Sequence, residues 1–435
     1  MHTVEDITIE TITKIEGNAK LNVKVSNGIV EDLEFIIADY RRFYTEAVRG
    51  KPYMTVPTLL SRICGTCSMA HLMASIKAIE RALGIHEQLS EQTNILRKLS
   101  INGMIIRDHA LHLYIFSLPD VLGIDSVLDI SEDNAEQHQL LHDAFDLKAV
   151  GNKLSTVFAG AAIHSPFPTV GGFLKLPSGQ DFSSLVDELE QSRVKILRGI
   201  KVFYEWNEKL VRNTDFIALI NDDYNFTEGI VKVSDREESY TPDDFLTLLD
   251  EIIIPYSQSK GYKLKSKHDD FMVGSLARVN MNLNRMHPRT LESAKRFLDV
   301  FPSFNVYHNC LAQALEVLHC IDQSIDMLKG LRIEAEPIIK ASPKSGVGVG
   351  VIEAPRGTLY HKVETDEKGI VIFSDVIVPT SQNQINIEND LKQMFQENLN
   401  LMSREDIKWK AEEIIRAYDP CMSCSTNFLD INWQE

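Results

Sequence analysis

SRICGTCSMAH at residues 61–71 and YDPCMSCSTNFLDINWQE at residues 418–435 each contain a C-x-x-C step, Cys64 with Cys67 and Cys421 with Cys424. Residues three apart in a turn share a side, so each step aims two soft sulfurs at one point. If the two points coincide, the chain folds so that its distant ends meet. Spacing alone leaves the occupant open, because a tetrathiolate suits zinc, iron–sulfur or another soft metal. Structural zinc is the plain reading. Zinc ribbons, however, usually join their pairs across a short loop, whereas these pairs lie near opposite ends of a 435-residue chain. Such a site is held by the whole fold. Arg62, His71 and Asp419 stand beside the cysteines, and a closed zinc site has no need of them.

Between the two steps no Pro/Gly/Ser-rich linker, repeat or low-complexity tract marks a boundary, so residues 1–435 read as a single large domain. Hydrophobic residues at 44% and charged residues at 25% allow a sizeable core. The net charge of -17 argues against nucleic acid or an anionic membrane surface as partner, since both attract lysine and arginine stripes. MHTVEDITIE has no basic stretch followed by an apolar one, and no run of 18 apolar residues occurs, so neither an export signal nor a membrane span is expected. A cytoplasmic location follows as an expectation. In a reducing cytosol, cysteine pairs suggest metal or redox chemistry before disulfides. Cys310 and Cys320, on an apolar helical stretch, read as core residues.

The patterning predicts an α+β protein, mainly helical, with a long-helix core and two small β-hairpin units. Residues 4–38 alternate apolar and polar positions around SNG at 26–28, which reads as a hairpin or meander. A helical body is expected over 68–330, with helices near 68–85, 89–117, 133–157, 183–213 and 305–330. Strand-like alternation returns over 348–378 around a DEKG turn. Helices then resume until the cysteine motif and tail at 411–435.

Taken in order, the motifs resemble those of the [NiFe] hydrogenase large (catalytic) subunit, and the likeness spans the chain. RICGTC with His71 and DPCMSC look like the family's two cysteine motifs. TKIEG at 13–17 is similar to its R-x-E-G-H segment, with Lys14 for Arg and Asn18 for His. RDHALHLYIFSLPD at 107–120, IHSPFPTVGG at 163–172, APRG at 354–357 and VPTSQN at 378–383 resemble further family segments. The resemblance implies a Ni–Fe centre whose iron carries carbonyl and cyanide ligands, with Cys64 and Cys421 terminal on nickel and Cys67 and Cys424 bridging. It implies reversible heterolytic cleavage of H2 to protons and electrons. Glu16 would relay protons, Arg356 would face the open side of the centre, and Pro355 would line the diatomics. Thr380 would donate to a cyanide, Asp108 and Asp419 would pair with Arg356, and His71 would bond near a bridging sulfur.

The chain departs from the family at a magnesium site. There the family has a glutamate upstream of the first motif and a histidine three residues past the last cysteine; this chain has Thr45 and Asn427. A hard cation tolerates few lost oxygen ligands, so that site is expected to be absent or altered. Residues beyond Asn427 are expected to be retained and packed through Phe428, Leu429 and Trp433. Only Cys310 and Cys320 remain after the four site thiols, too few for a four-cysteine cluster, so a small iron–sulfur subunit is expected to carry electrons onward. A diaphorase, flavin or ferredoxin-linked partner would follow it. The competing expectations are a structural protein with a four-cysteine zinc site and an inactive hydrogenase-like subunit.

Overall fold

Every second residue of Ala19–Ser26 is buried, the period-2 pattern of a strand with one face on a core. This strand, β2, lies between β1 (Val4–Ile9) and β3 (Ile29–Ile37) in an antiparallel sheet, so the N-terminal unit is a three-stranded meander. Its tight turn falls on Asn27 and Gly28, both at positive φ, as a twist-matched hairpin turn requires. The computed structural model describes residues 4–131, 133–177, 181–265 and 270–426.

The helical core is built from α1 (Ser68–Ala82), α2 (Glu91–Leu111), α3 (Ala135–Ala159), α4 (Ser183–Tyr204) and α5 (His308–Gly330). Ser90 and Asn134 cap α2 and α3, each side-chain oxygen accepting a first-turn N–H. Helix α2 runs on into a π-helical turn, His112–Ser117. Helices α2 and α3 cross where Gly103 meets Gly151; a Cβ on Gly151 would stand 2.7 Å from the Gly103 carbonyl oxygen. The pattern over 183–213 runs past the end of α4 because Trp206 and Leu210 remain buried in extended chain, so apolar spacing continues without a helix.

Among the described residues, the stretch read as helical, 68–330, contains a two-residue strand pair at Pro168–Thr169 and Gly172–Phe173 and six strands between residues 215 and 272. The six are β4 (Asp215–Ile220), β5 (Ile230–Val233), β6 (Ser239–Tyr240), β7 (Leu249–Ile253), β8 (Lys260–Leu264) and β9 (Phe271–Met272). β9-β4-β5-β6 form one sheet, with β9 parallel to β4, and β7 pairs with β8 as a hairpin. Strands this short hold too few periods to outweigh flanking helical signals. What stabilises them is a second apolar cluster that includes Ile217, Val231, Phe245, Tyr262 and Phe271.

The next sheet positions the site. β10 (Gly346–Ala354), β11 (Gly357–Thr365) and β12 (Val371–Ile377) are antiparallel, three strands where a hairpin was expected. Val349, Val351 and Tyr360 point into the second cluster. The opposite face of β10 presents Gly346, Gly348 and Gly350 to α1. A Cβ on these glycines would lie 2.1, 2.1 and 2.0 Å from the carbonyl oxygens of Ala82, Ala78 and Ala74, so α1 lies directly on the strand backbone. The β10–β11 turn is Pro355–Arg356, closed by Gly357 at φ +130°. Helices α6 (Pro379–Asn398) and α7 (Arg404–Ala417) then lead to the short helix Met422–Ser425. Among the described residues no helix is long and apolar enough to cross a membrane.

Candidate metal centre

Four different local structures deliver the four sulfurs. Cys64 sits in extended backbone after a 3-10 turn, and Cys67 occupies the N-cap of α1. Cys421 pairs with Glu16 through an isolated parallel bridge, and Cys424 lies in the last short helix. All four are buried and free of disulfides, and their sulfurs lie within 4.8 Å of one another. Cys64–Cys421, Cys67–Cys424 and Cys421–Cys424 approach to 3.4, 3.1 and 2.8 Å.

So many thiols in one buried spot cannot all ionise without a cation. Hydrogen bonds, from Cys421 foremost, hold Cys64 well below the usual thiol range. Burial pushes Cys421 and Cys424 well above it. Bonds from Cys421 and Cys424 favour the Cys67 thiolate, yet its bond to Cys64, burial and the charge on Cys64 carry it up to about 11. The quartet is a ligand set for a soft metal, whose charge offsets the repulsion among the sulfurs.

Arg356, at the tip of the β10–β11 turn, is buried. Its Nη2 donates toward Asp419 Oδ1 at 2.9 Å, and its Nη1 stands 3.6 Å from Asp108 Oδ2. Burial opposes the guanidinium charge, but Asp419, Cys421, Asp108 and Cys67 outweigh it and raise its pKa well above the usual range. Burial pushes the Asp108 carboxyl up against the pull of Arg107 and Arg356. Asp419 also accepts from Gln313 Nε2 at 2.9 Å. The turn itself is anchored by Arg278, which donates to the carbonyls of Ala354 and Pro355, both at 3.0 Å, while paired with Glu316 and Glu353.

Glu16 reaches the quartet from the β1–β2 loop. Its carboxylate accepts from the Ser423 N–H at 3.1 Å and from the Ser423 hydroxyl, and its carbonyl accepts from Met422 N at 3.0 Å. Burial raises its carboxyl pKa; the charge on Cys64 adds, and bonds with Ser423 and Cys421 draw it back. Gly17 follows at φ +86°, where a Cβ would meet Met422 Cβ at 2.7 Å. Lys14 pairs with buried Asp120 at 2.9 Å. Thr380, in the first turn of α6, accepts from Cys421 N at 2.8 Å.

His71 lies one turn into α1 with Nε2 3.6 Å from Cys424 Sγ. Two neighbours carried no sequence signal strong enough to single them out. His361 on β11 contacts His71, and Arg42 Nη2 donates to the carbonyls of Ile63 and Ser423 at 2.8 and 2.6 Å, tying the two cysteine motifs together. Strand alternation puts His361 on the same side as Gly357 and Leu359, the one clue available. Thr45 is buried in the short helix Tyr44–Ala47. Asn427, Phe428, Leu429 and Trp433 lie outside the described residues. Cys310 and Cys320 are buried on α5, apart from the quartet.

Helices, small sheets and a four-cysteine centre closed from both ends of the chain define the class. The nickel-dependent hydrogenase family matches residues 44–157 and 255–427, and the chain belongs to it. Among relatives it is similar to sulfhydrogenase 2 subunit alpha of Pyrococcus furiosus, 31% identical over 98% of this chain and 100% of that one. The NAD-reducing hydrogenase HoxS subunit beta of Cupriavidus necator is 25% identical over 97% of this chain and 95% of that one. In three dimensions it overlays an NAD+-reducing [NiFe]-hydrogenase with a TM-score of 0.83 at 25% identity, covering 98% of this chain and 100% of that one. The particular protein is thus a hydrogenase large subunit, an oxidoreductase acting on H2, and nickel displaces the zinc that spacing alone allowed.

Proposed function

We propose that Cys64, Cys67, Cys421 and Cys424 would together hold a nickel–iron centre whose iron carries carbonyl and cyanide. The observation that carries this reading is Arg356. Its Nε and Nη1 are buried and have no hydrogen-bond partner, while Cys421 and Cys67 are among the charges acting on it. Buried donors left idle cost free energy, and cyanide and carbonyl groups beside the sulfurs would give them acceptors of their own.

When bound, the centre supplies heterolysis of H2 and takes up the electrons. The chain's own residues handle position and protons. Arg356 is aimed by Asp419 and Asp108 and held by the Arg278-anchored turn, so its free N–H groups face acceptors without reorganising. Pro355 would keep that turn apolar where it lines the diatomics. Thr380 accepts from the Cys421 N–H, and its hydroxyl hydrogen remains available to donate to a cyanide. Cys421 Sγ would take the proton, and the Glu16 carboxyl, held beside that cysteine by Ser423, would carry it onward. His71, 3.6 Å from Cys424 Sγ, would donate to that metal-bound sulfur.

The family's magnesium is absent or altered here, since Thr45 offers at most a hydroxyl where a carboxylate is needed, and Arg42 supplies a cation nearby. Residues 1–435 work as one catalytic domain in the cytoplasm. Electrons leave through a small iron–sulfur subunit toward a diaphorase, flavin or ferredoxin-linked acceptor, because the remaining thiols, Cys310 and Cys320, are enclosed in α5. Elemental analysis and infrared spectroscopy on the purified complex test the reading. Nickel and iron together with carbonyl and cyanide bands are expected. Zinc without those bands would overturn it.

A further inference from the structure

A second histidine lies behind the quartet. His71 Nδ1 stands 3.0 Å from His361 Nε2, on the far side of the ring from Cys424. Both imidazoles are buried, their planes 59° apart. His361 Nδ1 has no hydrogen-bond partner.

A metal-bound thiolate accepts hydrogen bonds and cannot donate, so the nitrogen facing Cys424 Sγ has to carry the hydrogen. His361 Nδ1 is buried without a partner, so the hydrogen of that ring belongs on Nε2, and His71 Nδ1, 3.0 Å away, is left to accept it. The opposite direction fails twice: it turns a nitrogen lone pair toward a thiolate, and it strands an N–H at His361 Nδ1 in a buried, unpartnered position. The direction chosen leaves one unfilled acceptor. We propose that His361 is a positioning residue, whose N–H fixes the tautomer of His71 so that His71 presents its own N–H to the Cys424 sulfur.

The fold explains why the contact is possible. His361 sits opposite Gly350 in the β10–β11 register, on the sheet face against which α1 packs. A side chain at 350 would strike the Ala74 carbonyl, one turn beyond His71, so the glycine brings the helix within reach of the histidine. A donor on a metal-bound sulfur withdraws electron density from it, which is how a group that never touches the metal would tune it.

The inference rests on the hydrogenase reading only in taking Cys424 as a metal thiolate, and that holds equally for zinc. The test is nitrogen-15 NMR of the metal-loaded full chain labelled on histidine, with signals assigned through His71→Gln and His361→Gln. In the wild type both rings are expected as the Nε2–H tautomer. His361→Leu should move His71 into a mixture of tautomers, and His361→Gln, whose amide keeps a donor there, should restore it. Infrared bands of the loaded complex should shift in the Leu variant, return in the Gln variant and leave metal content equal. An Nδ1–H tautomer for His71 in the wild type, or a His71 signal indifferent to His361→Leu, overturns the proposal. Should the Leu variant not fold, the wild-type tautomer decides alone. Zinc in place of nickel and iron would sink the hydrogenase reading while leaving the tautomer test intact.

Discussion

Glu16 meets Cys421 through a backbone bridge and holds the next motif residue but one, Ser423, through its carboxylate, so one short loop both closes the site and supplies its proton acceptor. Two separate jobs on one residue can be pulled apart by an isostere. Glu16→Gln keeps the carbonyl that receives Met422 N–H and an oxygen for the Ser423 N–H, so metal content is expected to stay at the wild-type level. An amide does not carry a proton onward. Hydrogen–deuterium exchange from D2, followed by mass spectrometry of the gas, should fall by roughly 100-fold or more, the usual scale of a lost acid–base group. Exchange at the wild-type rate would move the relay elsewhere. This glutamate was legible because Glu16 and Gly17 stand together in a segment similar to the family's, even though Lys14 and Asn18 depart from it; Arg42 and His361 were not, since each acts through three-dimensional neighbours that no local spacing encodes.

At the scale of elements, α6 is stitched to the edge of β3 by Glu388, whose Oε1 accepts from the Phe35 N–H at 3.2 Å and from the Tyr256 hydroxyl at 2.8 Å. Burial lifts this carboxyl to about 7 from 4.5, with Asp32 and Glu34 adding to the rise and the two hydrogen bonds opposing it. The folded state therefore binds the proton more tightly than the unfolded chain. Its contribution to stability is complete below the unfolded pKa and is lost as pH rises through the folded one, a window from about 4.5 to about 7. Glu388→Gln keeps the acceptor and removes the charge. Its melting temperature should match wild type near pH 4.5 and exceed it near pH 8, by at most about 3 kcal/mol in stability. A variant that gains nothing at high pH would show that Glu388 ionises freely. Long helices and the cysteine motifs were readable because their periods repeat many times. The six strands between residues 215 and 272 were not, being short, and neither was GVGVGV at 346–351, whose glycines matter for the helix they admit.

For the molecule as a whole, the question is whether the metal builds the fold or the fold builds the metal site. Cys64 and Cys421 are 357 positions apart, as are Cys67 and Cys424. Closing so long a loop costs little more entropy than closing one half as long, but no metal can capture both ends until the body between them exists. That body is complete without the sulfurs. Asp120 joins Arg416 and Lys14, Asn309 holds the Ala417 carbonyl, and Arg42 grips both motifs. Zinc fingers behave in the opposite way and unfold without their ion. Stripping the metals with a chelator should thus leave far-ultraviolet circular dichroism nearly unchanged. Amide exchange should quicken in residues 62–68 and 421–426, where the four sulfurs take up protons and lose the ion that tied the two motifs together, while α5 stays protected. Unfolding of α5 along with the motifs would mean that the centre is a keystone of the fold rather than its cargo.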